Sequence, residues 1–125
     1  MSGFATRSGA KRFQALGRLK TGAMNATEAA YAKHLEARRV AGELAWVKFE
    51  GIKLRLADNT FYTADFAVML ADGSMELHEV KGARAIFQDD AKVKIKVAAE
   101  IYPFQFYACF PRKVRDGGGF DVEPV

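Results

Sequence analysis

From Leu44 to Leu56 the apolar side chains follow a period of two, and on to residue 80 the apolar segments are too short for helices and separated by turn residues. Val47 and Phe49 share one parity and Ile52, Leu54 and Leu56 the other, so the alternation changes phase at Gly51, where a bulge or sharp bend is expected. A-D-N at 57 to 59 makes a turn, T-F-Y-T-A-D-F-A-V-M-L reads as one long strand, and A-D-G-S at 71 to 74 is a tight hairpin. The strand M-E-L-H-E-V-K follows and ends at Gly82. Three strands joined by short turns form an antiparallel meander.

Helices flank this meander. N-A-T-E at 25 to 28 carries an Asn cap with a Glu three residues on, the pattern of a capping box, and a helix from about Ala26 to Ala41 follows, stopped by Gly42. Glu28, Tyr31, Ala32 and Leu35 fall on one stripe, so Glu28 sits at the leading end of the inward face. After a linker A-R-A-I-F-Q, D-D-A-K-V-K-I-K-V-A-A-E-I-Y reads as a second helix with acids in its first turn, ended by Pro103. F-Q-F-Y-A-C-F is a last strand, which a crossover helix of this length returns parallel. The order αβββαβ gives an α/β fold with a mixed central sheet and a helix on each face. Trp46 is most simply a core residue.

At 125 residues, half of them hydrophobic, the chain suits one core domain over residues 25 to 111. No run reaches the length of a membrane helix and the start lacks an apolar signal region, so a soluble, intracellular protein is expected. Cys109 is alone and lies in an apolar run, as a small core residue would. The net charge of +4 is uneven: residues 1 to 27 carry Arg7, Lys11, Arg12, Arg18 and Lys20 without an acid, against 14 bases and 15 acids in the remainder. Residues 1 to 24 thus read as a basic flexible arm suited to a polyanion, whose phosphates release counterions when cations approach. The glycine-rich segment 112 to 125 reads as a loose tail.

One constellation bears chemistry. Asp65 lies mid-strand in apolar sequence, and Glu79 and Lys81 share the parity of Met75 and Leu77 on a strand joined to it by the 71 to 74 hairpin. An acid two residues before a lysine recurs at Asp90 and Lys92, so the spacing alone carries little. The pairing carries more, because it brings two carboxylates to adjacent strands. Neighbouring carboxylates repel, and a hard divalent ion such as Mg²⁺ or Mn²⁺ resolves that repulsion. Lys81 adds a positive point charge suited to phosphate. The competing reading is a solvated strand with ordinary ion pairs. His78 faces opposite Glu79 and His34 falls off the inward stripe, so neither is a persuasive ligand or base. On the second helix Lys92, Lys96 and Glu100 form one stripe, while Lys94 points into the arc of Val93, Val97 and Ile101.

T-E-A-A-Y-A at 27 to 32, K-F-E-G-I-K-L at 48 to 54, F-Y-T-A-D-F at 61 to 66, H-E-V-K-G at 78 to 82 and K-I-K-V-A-A-E at 94 to 100 together resemble the PD-(D/E)XK nuclease superfamily, whose core has this αβββαβ order. Within it the chain is similar to a family of small phage-encoded proteins with sites like those of Holliday-junction resolvases. The resemblance implies a restriction-endonuclease-like core and a metal-dependent DNA endonuclease of phage recombination or genome processing, cytoplasmic in the host cell and acting as a homodimer. It implies that Asp65 and Glu79 ligate Mg²⁺ or Mn²⁺ with the Val80 carbonyl, that Lys81 positions the attacking water, and that Glu28 completes the site. It marks Lys94 and Lys96 as phosphate contacts. Where the superfamily usually has proline before the aspartate, Ala64 stands here. A module that holds nucleic acid on the same fold without cutting it is the alternative. A small-nucleotide phosphohydrolase is disfavoured because no P-loop-type glycine pattern occurs in the sequence.

Overall fold

The computed structural model describes residues 22–84 and 89–125, which form a mixed α/β fold. The arm cations Arg7, Lys11, Arg12, Arg18 and Lys20 lie outside the described residues. Helix α1, Ala26–Val40, begins with the expected capping box: Asn25 Oδ1 accepts from the Glu28 N–H at 2.8 Å, and Glu28 Oε1 accepts from the Asn25 N–H at 2.9 Å. Two backbone donors that the helix leaves unpaired are thereby satisfied.

Strands β1 (Leu44–Phe49), β2 (Lys53–Ala57), β3 (Thr60–Thr63), β4 (Phe66–Leu70) and β5 (Met75–Val80) follow. Helix α2, Asp89–Ile101, precedes β6 (Gln105–Pro111), a short 3₁₀ turn at Val114–Asp116 and β7 (Phe120–Pro124). Five strands make one sheet in the order β1-β4-β5-β6-β7, parallel only between β5 and β6, while β2 and β3 pair with each other in a second sheet. No helix among the described residues is long and apolar enough to cross a membrane.

The long strand expected over residues 60 to 70 is broken at Ala64 and Asp65. Phe49 pairs with Phe66 and Lys53 with Thr63, so the β1–β4 and β2–β3 pairings belong to one extended hairpin, creased where the chain turns at Glu50–Gly51 on one arm and at Ala64–Asp65 on the other. The Glu50 N–H donates to the Asp65 carbonyl at 2.7 Å across the crease. Folding the hairpin carries Leu54 and Tyr62 into the core beside α2, instead of leaving a long ribbon with one face in water. The phase change seen at Gly51 is this crease.

The two faces of the main sheet carry separate cores. Phe66, Val68, Val80 and Cys109 pack with Tyr31 and Leu35 of α1, whereas Ala67, Leu77, Phe106, Ala108 and Phe110 pack with Ile95 and Ala98 of α2. Period-two alternation on β4, β5 and β6 divides the residues in this way. The α1 face also encloses a polar chain: the Tyr31 hydroxyl meets His78 Nδ1 at 2.6 Å, His78 Nε2 meets Glu76 Oε1 at 2.9 Å, and the Cys109 thiol donates to the Tyr31 oxygen at 3.3 Å. A neutral His78 that accepts at Nδ1 and donates at Nε2 satisfies every member. Burial pushes the Cys109 thiol up to about 12, which keeps it protonated and inert.

Three expectations are corrected. Residues 112 to 125 are not a loose tail: β7 pairs along β6, and the Phe120 ring lies 4.8 Å from that of Tyr31. The arc of Val93, Val97 and Ile101 faces outward, at 60%, 40% and 53% exposure, because the neighbouring layer receives Ile95 and Ala98. Trp46 is 39% exposed, since an irregularity between Leu44 and Trp46 gives the α1 face to Leu44, Val47 and Phe49.

Candidate active site

The crease decides where Asp65 points. Outside the regular ladder, one step beyond the Phe66 and His78 pair, it lies beside the strand position of Glu79. Its Oδ2 accepts the Val80 N–H at 2.7 Å, so β5 supplies the donor that fixes the carboxylate. This contact uses the Val80 N–H and is separate from the ligand role that the resemblance gives the Val80 carbonyl.

Glu79 is 6% exposed and sits on the α2 face with Leu77, as its parity requires. Its Oε1 accepts the Tyr62 hydroxyl at 2.7 Å and its Oε2 lies 3.5 Å from Lys81 Nζ. A hydrogen bond and an ion pair thus offset part of the cost of burying the charge. Lys81 keeps 28% of its side chain in solvent, so its ammonium stands between the buried acid and the outside.

Both acids are harder to ionise than usual. Burial first, and then repulsion from Glu79, push Asp65 up to about 8, with the Val80 N–H acting the other way. Burial raises Glu79, against the opposing pull of the Tyr62 hydroxyl and Lys81. The charge of Glu28 raises both, which puts the helix acid within electrostatic reach of the pair. Tyr62 is held protonated by its burial and by the neighbouring carboxylate.

Asp65, Glu79 and Lys81 are therefore brought together, and Glu28 stands near them with one oxygen engaged in the α1 cap. Among the described residues no three His, Cys, Asp or Glu side chains form a metal-holding group. A two-carboxylate set nevertheless fits Mg²⁺ or Mn²⁺: such hard ions are commonly bound through one or two carboxylates and keep several waters. Two neighbouring acids that resist ionisation, Glu79 buried and Asp65 half-buried, are what a cation would stabilise.

Of the helix lysines, Lys94 is half-buried, and Lys92 and Lys96 line a shared cleft. Tyr62 was not among the residues singled out from sequence. A tyrosine flanked by Phe61 and by threonines reads as an ordinary strand residue until the crease turns β3 over β5. Arg84, which pairs with Asp121 and Glu123, was missed because its partners lie on the segment read as a tail. Comparison with protein-family models, with curated proteins and with solved structures finds no match to this chain.

Proposed function

We propose that this chain is a divalent-metal-dependent DNA endonuclease built on a restriction-endonuclease-like core, with Asp65 and Glu79 as metal ligands and Lys81 as the cationic catalytic residue. The observation that carries this is the pairing of two acids, both resistant to ionisation, at the end of β5 with an ammonium 3.5 Å from one of them. The resemblance of H-E-V-K-G and F-Y-T-A-D-F to the nuclease pattern supports it from the sequence side. A structure-specific, Holliday-junction-resolvase-like activity on branched DNA follows from the same resemblance, and two symmetric cuts call for a C2 homodimer.

When bound, Mg²⁺ would polarise the scissile phosphate and favour deprotonation of the attacking water. The protein's own groups have separate tasks. Val80 N–H orients the Asp65 carboxylate, and the Tyr62 hydroxyl holds Glu79 so that Oε2 faces Lys81. The Lys81 ammonium steadies charge that grows on the phosphate oxygens and helps place the water in line. Glu28 tunes the pair electrostatically from the head of α1.

Cleavage of four-way junctions, flaps and linear duplex by the purified full chain with Mg²⁺ or Mn²⁺ tests the proposal. Activity on any of them that is lost in Asp65→Asn, with binding retained, supports it. No cut in any substrate with either metal overturns it. A non-catalytic nucleic-acid-binding module on the same core is the second reading. It is favoured by the engagement of Glu28 with the Asn25 N–H, which draws the third acid into the helix cap, and it requires binding that ignores metal.

A further inference from the structure

Two concavities meet at the open end of β5 and β6. One, about 390 Å³, is lined by Arg84, Lys92, Lys96, Phe110 and Glu123 among others; the other, about 320 Å³, by Gly82, Arg84, Phe110, Arg112 and Lys113. They share Arg84 and Phe110, so they adjoin at that pair as two parts of a groove with cations lining each part.

The groove starts beside the candidate site. Val80 pairs with Cys109 in the parallel β5–β6 ladder and the Lys81 N–H donates to the Cys109 carbonyl at 3.0 Å, so Phe110 is the next residue along on β6. Phe110 shares the α2 face with Leu77, as Glu79 and Lys81 do by parity. Arg84 follows Lys81 by three residues, and its guanidinium lies 4.7 Å from the centre of the Phe110 ring.

Charge and shape both favour an extended anion. Five side-chain cations stand here against two side-chain acids: Asp121 and Glu123 engage Arg84, and Asp121 also reaches Arg112, which leaves Lys92, Lys96 and Lys113 without an ion-pair partner among the described residues. Lys92 and Lys96 lie one turn apart on the same face of α2, where like charges repel, and neither has an ion-pair partner among the described residues. Phe110 is 4% exposed and forms the floor, so its face is closed to a base. A cationic lining over a closed aromatic floor suits phosphates, which position a strand without specifying its sequence, and offers no ring on which a base could stack.

We propose that this groove holds the phosphodiester backbone of a nucleic-acid strand on its way to or from Lys81, with Lys92 and Lys96 on one wall, Lys113 at the far end and Arg84 between them. Its direction relative to Lys81 rests on the nuclease reading; its affinity for a polyanion does not.

Fluorescence anisotropy of a labelled DNA duplex binding to the full chain in EDTA, across a salt series, tests the proposal without any cleavage. Lys92→Ala with Lys96→Ala is expected to weaken binding about tenfold at moderate salt and to flatten the slope of log K against log salt by about 1.8, and Lys113→Ala by about 0.9. Lys33→Ala with Lys48→Ala, exposed lysines away from the groove, should change neither quantity. Circular dichroism confirms that each variant is folded. Slopes unchanged in the folded groove variants would overturn the groove even if cleavage is found, whereas flattened slopes without cleavage would uphold it and sink only the nuclease reading. A mononucleotide that displaces the duplex at lower concentration than an unlabelled oligonucleotide would overturn it in favour of a small-molecule pocket.

Discussion

Tyr62 of the small sheet donates its hydroxyl to Glu79 of the main sheet at 2.7 Å, so the small sheet reaches the candidate active site through a buried hydrogen bond. The bond is buried and one partner is a carboxylate, which places it among the stronger of its kind. Tyr62→Phe should remove it with almost no change of shape. The expected loss of stability is about 1–2 kcal/mol, read from urea unfolding at neutral pH, because the carboxylate keeps Lys81 as a partner. Glu79→Gln made in that background should cost less than in the parent chain, and additive effects of the two changes would show that the bond contributes nothing.

The acids give stability a definite pH dependence. Asp65 and Glu79 are both raised above their unfolded values near 4, so between there and about 8 the folded chain binds more protons than the unfolded one. Stability of the metal-free protein must therefore fall as pH rises through that window, by at most about 1.4 kcal/mol per pH unit for one proton. His34 acts in the opposite sense, since burial and Arg38 lower it, but its effect is confined to pH below its ordinary range. Melting temperatures in EDTA from pH 6.5 to 8.5 should accordingly decline and those of Asp65→Asn should be flatter. Mg²⁺ or Mn²⁺ should stabilise the parent chain more at pH 8 than at pH 6.5, and an equal gain at both would refute a cation between these carboxylates.

The residues near the chain's end make a separate claim. Phe120 packs edge-on against Tyr31 and near His34, closing the α1 core from the β7 edge. Phe120→Ala should cost about 2 kcal/mol, less than the 3–5 kcal/mol of a fully buried phenylalanine because Phe120 is only half-buried. Thermal unfolding checks it; a change within about 0.5 kcal/mol would mean that β7 is not part of the cooperative unit.

What could be read in advance followed from local chemistry. The α1 cap is written in N-A-T-E, the β4–β5 turn in A-D-G-S, and the two faces of β5 in its alternation, so Asp65, Glu79 and Lys81 could be brought together before any coordinates. What could not be read depended on distant partners. Residues 60 to 70 carry uninterrupted strand propensity, and only the covering of α2 by Leu54 and Tyr62 explains why they break at Ala64. The α2 face was mistaken because the three apolar side chains Val93, Val97 and Ile101 outnumber Ile95 and Ala98 in a periodicity count, whereas the buried face carries Ile95 and Ala98 with the small Ala91 and Ala99 beside them. Glycines at 117 to 119 suggested a loose end, yet they turn the chain so that D-V-E-P pairs with β6.

Gly51 offers the sharpest test of the crease. A Cβ built there would lie 2.5 Å from Lys48 Cγ and 2.7 Å from Lys48 Cβ, positions close to the backbone that cannot swing away as the tip of a lysine can. Gly51→Ala should therefore force β1 and the bend apart and cost about 1–3 kcal/mol, the usual range for overpacking. The damage should reach the candidate site, because the neighbouring Glu50 N–H holds the Asp65 carbonyl at 2.7 Å. Shortening the opposing side chain should relieve it: Lys48→Gly removes both clashing atoms, so the double variant is expected to be less destabilised than the two single changes predict together. Urea unfolding of the four proteins measures that coupling, and the shift in stability between pH 6.5 and 8.5 should shrink in Gly51→Ala and return in the double variant. If Gly51→Ala is as stable as the parent chain, the crease is not held by that close approach, and Asp65 must owe its position to the Val80 N–H alone.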